Sequence, residues 1–265
     1  MKVAKIPYLN AAPFYSGWGE DPPFESLSMV PRELGKAARD GAIDAGLMAV
    51  ADWFRVDGSF DLMDPPLGVA ASEHVRSVVL FCRHQPRRLD GRRVVVTRES
   101  STSRRLAQLL SAAYWETEIE WVSEDEVEGD PSEVADGLLL IGDRALALMA
   151  EEGQGGWTRP IDLATEWWAW QKLPFVFAAW TVRSALPRRE RERFGGFLSG
   201  SLALGSERLS EIAEAHAGPL GSAEALRAYL EHITYRLGPE ELEGLQRFRD
   251  LLAEHDIQEY EDARV

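Results

Sequence analysis

The chemistry suggested by this sequence centres on four hydroxyl residues in succession: Ser100, Ser101, Thr102 and Ser103. They follow a stretch at 93–97 whose β-branched residues predict a short strand, and they precede residues 104–110, whose apolar side chains recur at helical spacing. The N-terminus of a helix presents unpaired N–H groups and the positive end of the helix dipole, so hydroxyls placed there can hold an anion. Capping alone would use one hydroxyl. Because four exceed that need, we expect this segment to bind a small carboxylate or phosphate.

Three other polar residues stand where predicted strands begin or end: Asn10, Ser77 and Asp143. The Asn10 amide can both donate and accept hydrogen bonds at a ligand, although asparagine after a strand also commonly forms a turn. Ser77 opens the apolar strand predicted at 76–83, and either donates to a ligand or is an ordinary strand residue. Asp143 follows the Gly142 turn, where it either faces a cleft or caps the next helix.

Three aromatic residues on or beside predicted strands could line a cleft and stack on a planar ligand: Tyr8, Phe175 and Trp180. Aromatic residues on strands more often fill the core, so both interpretations stay open. The tryptophans of the segment 166–171 (EWWAWQ) cover more than one helical face, which favours packing or an interface over chemistry. Cys82, inside an apolar stretch, is most simply a buried and inert residue.

The charge balance excludes several classes of partner. The 265 residues carry 44 acidic side chains against 29 basic ones, a formal net charge of −15, whereas nucleic acids and anionic membranes are bound by basic surfaces. We therefore expect neither partner, and an anionic ligand must be held by local donors. A single cysteine excludes an internal disulfide and a thiolate cluster, and the five histidines have no metal-ligand spacing.

The N-terminal segment, MKVAKIPYLNAAPFY, lacks the continuous apolar stretch of a secretory signal. No run in the sequence approaches the roughly 18 apolar residues that a membrane-spanning helix requires. We therefore expect a soluble, cytoplasmic protein.

Strand-like and helix-like segments alternate along the chain, which predicts an α/β fold with mostly parallel sheets. Two long apolar strands, at 77–82 and 175–182, bracket a middle block that has strands and helices of its own. This arrangement fits two lobes joined by two crossover strands, with a ligand in the cleft between them. The predicted lobes are residues 1–80 together with 178–265, and residues 81–177.

The C-terminal part of the chain, after Pro187, is predicted to be almost wholly helical. Glycine, proline and serine residues divide it into four predicted helices: 188–199, 202–216, 223–237 and 239–254. The apolar stripe of the last helix indicates core packing.

Five blocks of the sequence, taken in order, resemble one known family. They are Ile6–Pro13 (IPYLNAAP), Gly41–Ala45 (GAIDA), Glu99–Ser103 (ESSTS), Leu140–Leu146 (LIGDRAL), and Asp162–Trp167 leading into Leu173–Trp180 (LPFVFAAW). In this order they resemble the chorismate dehydratases of the futalosine route to menaquinone. Each block alone is weak, but five in register are specific, and the resemblance covers roughly residues 1–255.

The resemblance implies a two-lobed, periplasmic-binding-protein-like fold of the type II class. It implies an enzyme that removes water from chorismate to give 3-[(1-carboxyvinyl)oxy]benzoate, with no metal or organic cofactor. Asn10 is then the candidate catalytic residue: an amide is too weak to act alone as a base, so a substrate carboxylate would take the proton while Asn10 fixes its geometry. One departure concerns Ala49 and Val50, which stand where many relatives carry two serines.

Three alternatives use the same kind of fold. The first is a small-anion binding protein, either cytoplasmic or the solute-binding component of a transporter. A transporter component would be expected to carry a signal peptide and a lipid-attachment cysteine, and the absence of both from the N-terminal segment counts against it. The sister enzyme that forms 1,4-dihydroxy-6-naphthoate would be expected to have a basic residue such as histidine at the cleft, and no histidine lies within the five blocks. A ligand-sensing domain would normally be attached to a DNA-binding segment, and the acidic charge disfavours one.

Overall fold

The computed structural model describes residues 1–99, 101–151 and 153–257. In these ranges the chain forms twelve strands: β1 (Lys2–Lys5), β2 (Glu25–Ser28), β3 (Ala45–Ala49), β4 (Phe60–Leu62), β5 (Leu67–Ala71), β6 (Val78–Cys82), β7 (Arg93–Val96), β8 (Glu120–Ser123), β9 (Gly137–Ile141), β10 (Arg159–Asp162), β11 (Phe175–Arg183) and β12 (Thr234–Arg236). They make two sheets. The first has the order β12-β5-β11-β3-β1-β2 with β4 paired to β11, and the second has the order β10-β6-β9-β7-β8.

The α-helices of the described residues pack around these sheets: α1 (Pro31–Arg39), α2 (Val50–Trp53), α3 (Thr102–Leu110), α4 (Pro131–Val134), α5 (Gly142–Ala150), α6 (Leu163–Gln171), α7 (Arg188–Glu207), α8 (Leu209–His216), α9 (Ala223–His232) and α10 (Pro239–Glu254). A 3-10 helix at Leu9–Tyr15 follows β1, and a π-helical turn at Ser111–Trp115 extends α3. None of the described helices is both long and apolar enough to cross a membrane.

The sheets are mixed, so the expectation of mostly parallel sheets is wrong. β1 is parallel to β2 and β3, and β7 is parallel to β8 and β9. By contrast, β6 and β11 each run antiparallel to both of their neighbours in the sheet order. These two strands enter their sheets from the other sheet rather than through a strand–helix–strand crossover, and parallel pairing requires such a crossover.

The chain passes between the sheets twice. It leaves the first sheet after Ala71, returns after Asp162, and spends the intervening strands in the second sheet. The lobe boundaries expected after residue 80 and before residue 178 fall inside β6 and β11, each of which belongs to one sheet. Both strands are apolar and buried along nearly their whole length, as expected of strands covered on both faces.

The C-terminal helices differ from the prediction at two places. α7 runs without a break past residues 200 and 201, because Ser201 Oγ donates to the Phe14 carbonyl at 2.6 Å and Gly205 lies directly against Pro13. The helix predicted at 223–237 ends at His232, and β12 pairs with β5 instead. In both cases tertiary packing overrode the local signal. The bounds of α10 are as predicted.

Candidate active site

A pocket lies between the two sheets, beside the 3-10 helix that follows β1. It contains about 560 Å³ of space that protein atoms do not fill, part of it open to solvent. Its walls come from residues on or next to β1, β3, β5 and β11 of the first sheet and β6 and β9 of the second. A ligand bound here would therefore touch both sheets.

The N-termini of three nine-residue helices reach this pocket. α1 begins at Pro31, α3 at Thr102 and α5 at Gly142, and each of these residues lines the pocket. Among the described residues that line it there is no lysine or arginine. The attraction for an anion therefore comes from helix dipoles, backbone N–H groups and hydroxyls rather than from a cationic side chain.

The predicted hydroxyl run forms part of this wall. Ser101, Thr102 and Ser103 all line the pocket at the start of α3, and Ser100 lies outside the described residues. Thr102 Oγ1 accepts a hydrogen bond of 3.1 Å from the Ala51 N–H, which joins α3 to α2 across the sheets. Ser103 has no hydrogen-bond partner for its hydroxyl in the described part of the chain. Thr102 therefore has a structural contact, whereas the Ser103 hydroxyl has none among the described residues.

Ser101 has a neighbour that the sequence did not indicate. Its side chain interacts with the carboxyl of Asp52, a residue of α2 that is only 4% exposed and whose Oδ2 has no hydrogen-bond partner among the described residues. Burial raises the pKa of Asp52, although Ser101, Arg39 and Arg55 all favour its ionised form; the two guanidinium groups lie 3.8 Å from Oδ1. The segment of Ala49 and Val50 is thus followed by Ala51, which is hydrogen-bonded to α3, and by Asp52, which lies beside Ser101.

Asn10 and Ser77 both line the pocket, as predicted for cleft residues. Asn10 belongs to the 3-10 helix after β1, and Ser77 lies directly before β6. Ser77 is fully buried, and its Oγ has no hydrogen-bond partner, whereas its carbonyl accepts from the Gly142 N–H at 2.8 Å. A buried hydroxyl without a partner is uncommon in proteins.

The segment that carries Ser77 is held by Asp162. This carboxylate caps α6 and also accepts hydrogen bonds from the Val75 and Arg76 N–H groups, at 2.9 and 2.6 Å. Burial raises the pKa of Asp162, while the four backbone donors oppose that shift. Asp162 therefore connects the point where the chain enters the second sheet to the point where it leaves.

Tyr8 lines the pocket, as expected. Its hydroxyl donates to Glu99 Oε2 at 2.6 Å, and its ring lies so close to Gly142 that a Cβ there would be 3.1 Å from the ring. Burial, reinforced by the Glu99 carboxylate, raises the pKa of Tyr8 well above its ordinary range. Tyr8 therefore remains a hydrogen-bond donor at neutral pH.

Asp143 does not line the pocket. Its Oδ1 accepts a hydrogen bond of 3.0 Å from the Leu9 N–H, and burial raises the pKa of its carboxyl. Asp143 therefore fastens the start of the 3-10 helix, next to Asn10, to the first turn of α5. The structure corrects the expected place of Asp143: its side chain lies behind the residues that line the pocket rather than facing into the pocket.

Phe175 and Trp180 also lie away from the pocket, and Phe177 lines it instead. Phe175 packs edge-on against Trp167 and Phe248, and Trp180 is fully buried among aromatic rings of the first sheet's core. The expectation that these two residues line the cleft is thus corrected to core packing. β11 is buried on both faces and has an irregular register between Val176 and Ala178, so alternation along the strand did not identify the residue that faces the pocket.

Comparison with known proteins places this site in a family. The profile of the menaquinone biosynthesis family matches residues 1–254. The chain belongs to that family. A chorismate dehydratase from Thermus thermophilus is 32% identical over 274 residues, which cover 92% of this chain and 92% of the relative. The family resemblance predicted from the five sequence blocks is therefore confirmed.

Two solved structures share the fold of this family member. A protein from Archaeoglobus fulgidus matches with a TM-score of 0.78 at 17% identity, over 97% of this chain and 98% of that one. A Candida albicans protein described as having the generic periplasmic binding protein structural fold matches with a TM-score of 0.67 at 13% identity, over 99% and 92%. At these identities the matches establish the fold alone, and they confirm the periplasmic-binding-protein-like architecture.

Proposed function

We propose that this protein is a chorismate dehydratase, a carbon–oxygen lyase that removes water from chorismate to give 3-[(1-carboxyvinyl)oxy]benzoate. The observation that carries the proposal is the lining of the pocket. Its polar side chains among the described residues are all neutral hydrogen-bonding groups: Tyr8, Asn10, Ser77, Ser101, Thr102 and Ser103. Three helix N-termini supply the positive field. Membership of the menaquinone biosynthesis family and the named relative support the same reaction.

The pocket suits a small, dianionic ring. Chorismate has two carboxylates, and the start of α3 with Ser103 is the proposed binding place of one of them. Apolar residues such as Val69, Val78 and Phe177 give a surface against which the ring can pack. We also propose that each sheet with its helices acts as a lobe, and that the lobes hold the substrate between them in the cytoplasm.

The reaction needs little from the protein beyond positioning. Loss of the C3 proton and the C4 hydroxyl makes the ring aromatic, and the two leave together as one water molecule. The described residues that line the pocket include no carboxylate, histidine or lysine that could act as a base. In our proposal a carboxylate of the substrate takes the C3 proton and passes it to the departing C4 hydroxide, so that water leaves, while the Asn10 amide and the Ser77 hydroxyl orient the substrate and donate hydrogen bonds to the C4 oxygen. Orientation and aligned donors can provide a large part of a rate enhancement.

The test is direct. The purified protein is incubated with chorismate, and the product is followed by mass spectrometry as loss of one water. Saturable binding without turnover would contradict the proposal and favour an anion-binding protein of the same fold. Asn10→Ala and Asn10→Asp then test the role of the amide: both should lower kcat. Full activity of Asn10→Asp, together with a loss of binding alone in Asn10→Ala, would overturn that role.

A further inference from the structure

The hydroxyl of Tyr229 lies in an apolar core that offers it no hydrogen-bond partner among the described residues. The residue lies in α9 and is 2% exposed, and its neighbours belong to the apolar core of the first sheet. Its hydroxyl is buried and has no hydrogen-bond partner of good geometry. An unpartnered buried hydroxyl is unfavourable, since it has lost its hydrogen bonds to water without replacing them.

This hydroxyl faces the candidate catalytic pair. It interacts with the side chains of both Ser77 and Asn10, although it does not reach hydrogen-bond geometry with either. Burial raises the pKa of Tyr229 well above its ordinary range, so the hydroxyl keeps its proton. Ser77 Oγ is likewise buried and unpartnered. Asn10 and Ser77 thus line the pocket with the buried Tyr229 hydroxyl behind them, and both hydroxyls can still form a hydrogen bond.

We propose that Tyr229 is a positioning residue for Asn10. With substrate bound, the Tyr229 hydroxyl donates to the carbonyl oxygen of the Asn10 amide, which turns the amide NH2 group toward the ligand. The NH2 group and the Ser77 hydroxyl then both point at the C4 oxygen that departs. Catalytic hydrogen bonds commonly shorten when the substrate binds, which accounts for the looser contact in the free protein. This inference rests on the proposed dehydratase function.

Tyr229→Phe tests the proposal, because it removes the hydroxyl and leaves the ring. We expect kcat for chorismate to fall about tenfold, with KM changed less than twofold, which is the effect of one lost orienting hydrogen bond. The melting temperature should stay the same or rise, because an unpartnered buried hydroxyl has been removed. A purely structural role would lower it.

Tyr235→Phe is the matched control. Tyr235 is also a buried tyrosine of this core with an unpartnered hydroxyl, but its ring packs edge-on against Phe14 and it does not face Asn10 or Ser77. Its removal should leave kcat unchanged. In an Asn10→Ala background, Tyr229→Phe should cause no further loss of the residual activity, since the residue acts through that amide.

Three outcomes would overturn the inference while leaving the proposed function intact. They are an unchanged kcat in Tyr229→Phe, an equal loss in Tyr235→Phe, and an equal loss in the Asn10→Ala background. Failure of the wild-type protein to convert chorismate would instead overturn the proposed function and this inference together, so the two failures are distinguishable.

Discussion

The Tyr8 hydroxyl and the Glu99 carboxylate are joined by a hydrogen bond of 2.6 Å that connects the first sheet to the second. It has two companions at the pocket: Leu9 N–H to Asp143 at 3.0 Å, and Ala51 N–H to Thr102 at 3.1 Å. In each pair one residue follows a strand of the first sheet and the other lies near the end of a strand of the second. These three hydrogen bonds thus tie the two sheets together beside the pocket, and none of them requires a ligand.

Tyr8→Phe should therefore weaken the connection between the two sheets at the pocket without disturbing either sheet. A hydrogen bond to a charged group stabilises by about 1.5–3 kcal/mol, so we expect kcat/KM for chorismate to fall by about tenfold or more. Glu99→Gln keeps a hydrogen-bond acceptor, so its kcat/KM should fall less. The test measures kcat/KM and the melting temperature of both variants. Unchanged kinetics in Tyr8→Phe would show that activity does not depend on this hydrogen bond between the sheets.

Local chemistry predicted much of the site. The strand, hydroxyl run and helix expected at 93–110 are β7 and α3, and the helix begins within the run. Asn10 and Ser77 were both expected at the cleft and both line the pocket. These predictions succeeded because turn chemistry and helix starts depend on adjacent residues.

Relations between distant residues were not predictable in the same way. Tyr229 reads as part of an apolar helix face, and only the fold brings its hydroxyl toward Asn10. Asp52 reads as an ordinary helix residue, and only the approach of α3 to α2 brings its carboxyl beside Ser101. Phe177 could not be separated from Phe175, because both faces of β11 are buried and its register is irregular.

Gly142→Ala should impair activity through Tyr8. The backbone of Gly142 has φ +57°, and a Cβ there would lie 3.1 Å from the Tyr8 ring. Gly91→Ala is the control, because φ is +66° but nothing lies within 4 Å of the added atom. Both variants should lose about 1–2 kcal/mol of stability from left-handed backbone strain. Only Gly142→Ala should also lower kcat/KM, and equal kinetics in the two variants would contradict this.

The hydroxyls at the start of α3 should respond differently to removal. Ser103→Ala should raise KM for chorismate about tenfold at unchanged melting temperature, because its hydroxyl faces the pocket without another partner. Thr102→Val should instead lower the melting temperature, because it leaves the buried Ala51 N–H without its acceptor. Thermal melts and substrate titrations separate the two effects. The reverse assignment would show that Thr102 holds the anion and Ser103 the fold.

Asp52→Asn should stabilise the protein at neutral pH and not in acid. Burial raises the pKa of Asp52 above its ordinary value of 3.8, so below that pH the carboxyl is protonated both in the folded and in the unfolded chain. As the pH rises, the unfolded chain releases this proton first, and the folded wild type loses stability until the pH has passed the folded pKa. Asparagine has no such proton, so the melting temperature of the variant relative to the wild type should rise over that window and then level off.

Asp40→Asn should change the melting temperature at neutral pH in the opposite direction. A hydrogen bond and ion pair with Lys36 lower the pKa of Asp40, so its carboxylate stabilises the fold above the unfolded pKa and loses that effect as the pH falls. Its replacement should therefore lower the melting temperature slightly at neutral pH. Thermal melts from pH 3 to 8 compare both variants with the wild type. In a chain of this size, a change of 1 kcal/mol in the free energy of unfolding shifts the melting temperature by about 2–4 °C. If Asp52→Asn lowers the melting temperature at neutral pH, the ionised carboxylate, with the Arg39 and Arg55 guanidinium groups 3.8 Å away, stabilises the fold more than its burial destabilises it.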